Sequence, residues 1–293
     1  MGNSISYASK YAPELDKMIV QESKTGFLAD AAFKAKFTGA RTVLLPEIDF
    51  DGLGDYDRVE GYSKGGINLE HKPYTLSMER SKQLNIDAQD ADESGVPSLV
   101  GKLVGEYTRT KVNPEIDAYV LSTLYAVAKE KGNTKAFAAA SAVADMLAQI
   151  NACEAANGYT NEQMVAFVNP DMYAALMTSN ELQRSIITSE FKQGEINLKV
   201  KHINNCAIIP VAADRMKTGY DFGENGHTPL EAATDVSAII MPKSAASLVK
   251  KVDKVDTYTP EQVQDMDAYR INFRLYYDCF VTNSKKGVIF AIG

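Results

Sequence analysis

Acidic residues recur at ligand-like spacing in one segment of the chain. Asp49, Asp51, Gly54, Asp57 and Glu60 occupy positions 1, 3, 6, 9 and 12 of a calcium-loop frame, in which oxygen ligands at alternating positions wrap a hard cation. Position 5 of that frame falls on Leu53, which has no side-chain oxygen. The run before it reads as a strand, whereas the calcium frame requires a helix there. The simpler reading is the acidic tip of a hairpin, kept soluble by its charge.

The other constellations that carry chemistry are incomplete. The three histidines, His71, His202 and His227, lie far apart in strand or loop contexts, and no GxSxG elbow occurs. Ser247-Leu-Val-Lys250 matches SxxK, but the other elements of that class are missing. Gly61-Tyr-Ser-Lys-Gly-Gly66 has glycines and a lysine, without the GK[ST] ending or the following helix of a phosphate loop. Asp87, Asp90, Asp92 and Glu93 could pair as glycosidase carboxylates. An acidic run leading into a helix also interacts favourably with the helix N-terminus, which is the simpler account. Cys153, Cys206 and Cys279 are odd in number and widely spaced, with no CxxC pair, so they read as small buried hydrophobes in a reducing compartment. No catalytic residue, cofactor or metal site is assigned, and the chain is not expected to be an enzyme.

Length and composition bound what these segments can belong to. The chain has 293 residues, 45% of them hydrophobic, enough for one large or two smaller domains with a sizeable core. The net charge is -7, with 31 basic against 38 acidic residues and no basic block. That argues against a dedicated nucleic-acid binder, whose affinity comes largely from phosphate neutralisation. It leaves room for a wall that encloses nucleic acid without gripping it. No apolar run approaches the roughly 18 residues of a membrane span. The polar N-terminus lacks a signal-peptide stretch, so the protein is expected in the cytoplasm where it is made.

Periodicity predicts a mixed α+β chain. Residues 1 to about 40 read as an arm with two short amphipathic turns, Pro13–Glu22 and Ala29–Phe37, too short to be stable alone. A strand at 42–46, the acidic glycine-rich segment and a second strand from Ile67 to Ile86 read as a long antiparallel hairpin. A long helical element covers 94–131. Within it Pro114 either kinks one helix or opens a second one capped by Asn113. Helices are also predicted over 134–157, from Pro170 behind an Asn169 cap, over 180–189 and over 242–249. Short strands are predicted at 165–168, 198–200, 207–211, 236–241 and 288–292, with a surface loop over 219–235. Alternating Tyr269, Ile271, Phe273, Leu275 and Tyr277 mark a half-buried strand. An arm and an isolated two-stranded hairpin are weakly self-stabilising, and such extensions gain stability by binding neighbouring molecules. This points to an assembly protein.

Several stretches, in this order, resemble one family. They are Gly52-Leu-Gly-Asp-Tyr-Asp-Arg58 with Gly61-Tyr62; Ile86-Asp87 with Asp90 and Asp92-Glu93; Val112-Asn-Pro-Glu-Ile-Asp-Ala-Tyr119; Phe167-Val-Asn-Pro170; Ile208-Ile-Pro-Val211 with Arg215-Met216; and Asp267-Ala-Tyr-Arg270. Together they resemble the major capsid proteins of tailed bacteriophages with the Hong Kong 97-type capsid fold.

The resemblance implies a layout. An N-terminal arm would span 1–42, an extended β-hairpin loop 43–92, and the spine helix of a peripheral domain 93–131. A mixed α/β axial domain would span 132–237, and peripheral-domain return strands 238–293. The function implied is self-assembly into pentamers and hexamers of an icosahedral phage head. That head would enclose double-stranded DNA without sequence-specific binding, in the virion, away from any membrane. Met1 opens directly on the arm, so a separate scaffolding protein is expected, with portal and head decoration proteins as further partners. Inter-subunit contacts would fall on Asp51, Gly52, Asp55, Tyr56, Asp57, Arg58, Tyr62 and Lys64. Some relatives crosslink a loop lysine to a neighbour's asparagine; Lys64 and Asn283 are conceivable partners, though nothing local selects them. Two alternatives remain: an encapsulin-like nanocompartment shell, and an Asp-rich metal-dependent hydrolase built on Asp49–Glu60.

Overall fold

A long helical rod positions most of the molecule. In the computed structural model, which describes residues 23–29, 36–38, 41–56, 58, 62, 66–89, 99–159, 163–178, 187–193, 196–203, 206–224 and 226–293, the rod has three parts. Helix α1 (Leu99–Tyr107) runs into a π-helical turn (Thr108–Val112) and then into α2 (Asn113–Glu130). Asn113 has helical φ and ψ of -62° and -45°, and its N–H donates to Thr108 O, five residues back. It therefore does not cap a second helix; the chain is helical through the junction. Proline clashes with the carbonyl four residues earlier and offers no N–H, and the wider turn just before Pro114 accommodates both. Gly132, at φ +72°, ends the rod.

Two sheets pack on this rod. The larger has seven strands: β5 (Thr134–Lys135), β6 (Met164–Val168), β7 (Ile187–Gln193), β8 (Ile196–Ile203), β9 (Cys206–Pro210), β12 (Ala238–Pro242) and β15 (Phe290–Ile292), in the order β5-β15-β12-β6-β9-β8-β7. Its central strands are buried on both faces, as strands covered on both sides must be. Val165, Phe167, Ile209 and Ile239 share a core with Ile116, Val120, Leu121 and Leu124 of α2. The alternate residues Met164, Ala166, Val168 and Ile240 face a second core, shared with Met146, Ile150 and Cys153 of α3 (Ala142–Ala156) and Met172 and Leu176 of α4 (Pro170–Thr178). Helix α4 starts as predicted, with Asn169 Oδ1 accepting from Met172 N at 2.8 Å.

The smaller sheet comprises β13 (Ala246–Tyr258), β14 (Ala268–Val281) and β4 (Met78–Asp87), in the order β13-β14-β4. Ile271, Phe273, Leu275 and Tyr277 on β14 face the rod, with the Tyr107 and Phe273 rings 4.7 Å apart. A hairpin sheet, β1 (Lys36–Thr38), β2 (Thr42–Phe50) and β3 (Ile67–Thr75), and a short hairpin, β10 (Tyr220–Gly223) with β11 (Gly226–Pro229), complete the described fold.

Several predicted elements differ. The stretch Ile67–Ile86 is two strands, parted at Leu76-Ser77: β3 pairs with β2, while β4 pairs with β14. The helix predicted from 134 begins at Ala142, because Thr134–Lys135 is drawn into parallel pairing with β15. Pro242–Val249 is strand from Ala246 on, paired with β14. Ile187–Ser189 belongs to β7, the loop at 219–235 contains the β10–β11 hairpin, and Phe37 lies in β1. The predicted turn Pro13–Glu22 lies outside the described residues.

Candidate assembly interface

The acidic hairpin has a built root and a bare tip. Its strands pair without interruption from Thr42 opposite Thr75 to Phe50 opposite Ile67. At the root, Val43, Leu45 and Leu76 are buried against Val249, Tyr276 and Phe280 on the face of the small sheet away from the rod. Below them, the buried Asp278 carboxylate fixes the β3–β4 junction. Its Oδ2 accepts from Ser77 N at 2.8 Å and Ser77 Oγ at 2.9 Å, and its Oδ1 accepts from Tyr119 OH at 2.7 Å. Burial, and then the bond to Asp278, push the Tyr119 phenol far above its ordinary value, so it stays a donor.

The tip is the opposite. Residues 51–56 are all exposed. Leu53 is fully exposed at 108%, Tyr56 is 61% and Tyr62 is 89% exposed, the two tyrosine rings meeting edge-on at 5.2 Å. Asp51 closes the loop on itself, with Gly66 N donating to its Oδ2 at 2.6 Å. Of the residues expected to make contacts, Asp51, Gly52, Asp55, Tyr56, Arg58 and Tyr62 lie exposed on this tip. Asp57 and Lys64 lie outside the described residues.

A second buried carboxylate fixes the other extension. Asp117 has no exposed surface. Its Oδ1 accepts from Ser23 Oγ at 2.7 Å, Thr25 N at 3.1 Å and Thr25 Oγ1 at 2.7 Å; its Oδ2 accepts from Lys24 N at 3.2 Å and Arg215 Nη1 at 3.1 Å. Phe27 and Leu28 then enter the main core, Phe27 stacking on Phe167 with centroids 6.0 Å apart. Asp117 and Asp278 were not singled out from the sequence. The available signal was a carboxylate on the apolar stripe of a helix, one step from Ile116, and another inside a run of buried strand residues.

Between the π turn, β4, β14 and the β10–β11 hairpin lies a cleft of about 760 Å3. Arg80 braces it, donating to Glu115 Oε1 at 2.6 Å, Phe222 O at 2.9 Å and Gly223 O at 2.6 Å. His227 lines one wall, edge-on to Tyr220 at 5.4 Å. Burial pushes its imidazole below the ordinary value near 6.5, against the pull of Glu115 and Asp214. A depressed folded value means that this group's contribution to stability is complete above about pH 6.5 and is lost as pH falls through the folded value. His227→Gln is therefore expected to flatten the decline of melting temperature below about pH 6.5; parallel melting curves for both proteins would contradict this.

The residues tested for chemistry do not converge. His71 lies on β3 opposite Pro46, His202 on β8 beside Gln163 at 2.9 Å, and His227 in the cleft. Ser247 and Lys250 lie on a strand, where residues three apart point to opposite faces. Asp87 accepts from Gln89 N at 2.9 Å, as in a local turn. Cys153, Cys206 and Cys279 are buried free thiols, and burial pushes Cys279 up to about 12. Among the described residues no group of three or more His, Cys, Asp or Glu side chains could hold a metal ion, and no helix is long and apolar enough to cross a membrane.

No protein-family model matches the sequence, and no curated protein matches it. Solved structures do match. The capsid structure of cyanophage P-SCSP1u aligns with TM-score 0.57 at 14% identity, over 88% of this chain and 84% of that one. The bacteriophage PhiM1 mature capsid aligns with TM-score 0.56 at 11% identity, over 86% and 82%. A virus-like particle from Pyrococcus furiosus aligns with TM-score 0.56 at 10% identity, over 98% and 99%. At such identities the likeness is one of fold, and the fold of this α+β chain is that of phage capsid proteins.

Proposed function

We propose that the chain is a major capsid protein of Hong Kong 97 type, a shell subunit without catalytic activity. The observation that carries this reading is the hairpin whose root is built into the core while its tip exposes Leu53, Tyr56 and Tyr62. A lone subunit gains nothing from holding large apolar side chains in water at the end of a long paired stem; a sister copy that covers them does. In this reading residues 1–42 are the arm, 43–92 the extended loop, 93–131 the spine helix, 132–237 the axial domain and 238–293 the return strands. Asp117 and Asp278 hold the bases of the two extensions so that only their outer parts adapt. That division lets one sequence fill the differing environments of pentamers and hexamers. Contacts of about 800 Å2 per partner, repeated around a closed surface, give a kinetically stable shell.

The proposed cargo is double-stranded DNA, enclosed by an acidic wall that grips it weakly; a scaffolding protein, a portal and decoration proteins are the further partners. Negative-stain microscopy of the purified chain across protein and salt concentrations is expected to show closed shells of uniform diameter. A chain that stays monomeric throughout contradicts the reading. The end-to-end match with the Pyrococcus virus-like particle, 98% and 99% of the two chains, keeps an encapsulin-like compartment as a second reading. Particles from the native source that hold nuclease-protected DNA support the first; particles filled with protein support the second.

A further inference from the structure

We infer that the β10–β11 hairpin is an acid-opened latch, clamped over the cleft by Arg80 and released when His227 gains a proton. The latch belongs to the single subunit, whatever that subunit builds. The hairpin is a two-stranded sheet of its own. Such a hairpin is marginally stable alone, so its place depends on what holds it. Of its described residues only Tyr220 is buried.

Two devices hold the hairpin down. The first is Arg80 on β4, which joins three elements. Its Nε donates to Glu115 Oε1 of α2 at 2.6 Å, while Nη1 donates to Phe222 O at 2.9 Å and Nη2 to Gly223 O at 2.6 Å. Lys82 adds a longer bond to Glu224 O at 3.4 Å. The second is a row of rings running from β14 across α2 to β11. Tyr277 lies 5.8 Å from Tyr119, Tyr119 5.6 Å from Phe222, Phe222 6.1 Å from Tyr220, and Tyr220 5.4 Å from His227. His227 ends the row and lines the cleft. The turn itself sits against the rod: a Cβ added at Gly226 would lie 3.8 Å from Glu115 Oε2.

A proton on His227 works against both devices. The charges around the ring come from every element at the cleft. Glu115 of α2 and Asp214 before β10 favour the imidazolium, while Arg215 and Lys111 of the π turn oppose it. Arg80 and Lys82 of β4 and Glu224 of the hairpin line the same cleft. Burial outweighs the carboxylates, so the closed hairpin holds the ring neutral. Opening puts the imidazole in water, where it takes its proton near the ordinary value of about 6.5; falling pH therefore favours the open hairpin. Glu115 cannot serve both cations, because it already accepts from Arg80 Nε at 2.6 Å and Nη2 at 3.3 Å. If it turned to His227, Arg80 would lose the anchor that aims it at the hairpin carbonyls.

Amide hydrogen exchange of the dispersed full-length chain tests this, read as protection factors so that the intrinsic effect of pH cancels. Between about pH 8 and about pH 5.5, where a histidine titrates, protection over residues 220–229 is expected to fall about fivefold or more. Residues 271–277 of β14 should keep theirs. His227→Gln keeps a neutral polar side chain and is expected to hold protection over 220–229 equal at the two values. Arg80→Gln is expected to lower that protection about tenfold at the higher pH, since hydrogen bonds to a charged group are lost. Unchanged protection of the native hairpin, the same acid response in His227→Gln, or an equal loss in β14 overturns the latch. Full protection in Arg80→Gln overturns the role given to Arg80.

Discussion

Replacing residues 51–66 with Asn-Gly is expected to leave a folded subunit that forms no closed shells. Phe50 and Ile67 are already paired, so a two-residue turn closes the hairpin without altering its register. The root cluster of Val43, Leu45, Leu76 and Tyr276 is untouched. Residues 51–56, 58, 62 and 66 are exposed, and substitutions at exposed sites shift stability by about 0.5 kcal/mol or less each. Thermal unfolding should therefore stay near that of the full chain. Assembly should not, because in the proposed reading a neighbour covers the exposed Leu53, Tyr56 and Tyr62. Light scattering and microscopy of the shortened chain check this; particles of normal size and yield would contradict it.

Asp117→Ala is expected to cost about 3–5 kcal/mol of folding stability, the range for removing one partner of a buried charge pair. The carboxylate accepts from Ser23, Lys24, Thr25 and Arg215 at once, and without it the buried Ser23 and Thr25 hydroxyls and the Arg215 guanidinium lose their acceptor. Phe27 and Leu28 are held in the core by this same segment, so its release also removes their burial. Asp117→Asn keeps the shape and one acceptor oxygen, and should cost less. Urea unfolding measures the loss, and limited proteolysis should cut near Lys24 in the alanine variant before the rest of the chain opens. A loss below about 1 kcal/mol would show that the segment is held by packing alone.

What could be read from the sequence followed the range of the interactions that decide each element. Asn169 capping α4 and the alternation along β14 are local patterns, and both appear in the structure. The hairpin tip was legible for the same reason: glycines and carboxylates leave little to bury, and residues 51–56 are exposed. Where a distant partner decides, local pattern failed. Leu76-Ser77 carries no glycine, proline or asparagine, yet the chain changes sheets there because Asp278, 201 residues on, holds Ser77 and β14 takes β4. Thr134–Lys135 precedes an Ala-rich helical stretch but joins the edge of a sheet completed by β15, at the far end of the sequence. The burial of Asp117 and Asp278 arises only once residues about a hundred or more positions away pack over them, so the local pattern did not single them out. The π turn is an intermediate case: Pro114 announced an irregularity, while the continuous rod around it depends on Ile116, Val120 and Leu124 being buried against the large sheet.

The account turns on whether the hairpin tip gains its protection from sister copies. Amide hydrogen exchange of residues 51–56, compared between dispersed subunits and closed shells, measures that directly. Fast exchange in the subunit and slowing by about a hundredfold or more in the shell is the expected result, since an amide opening freely in one state becomes part of a buried contact in the other. Equal rates in the two states would mean that the tip makes no contact in the shell, and that whatever closes the particle lies elsewhere.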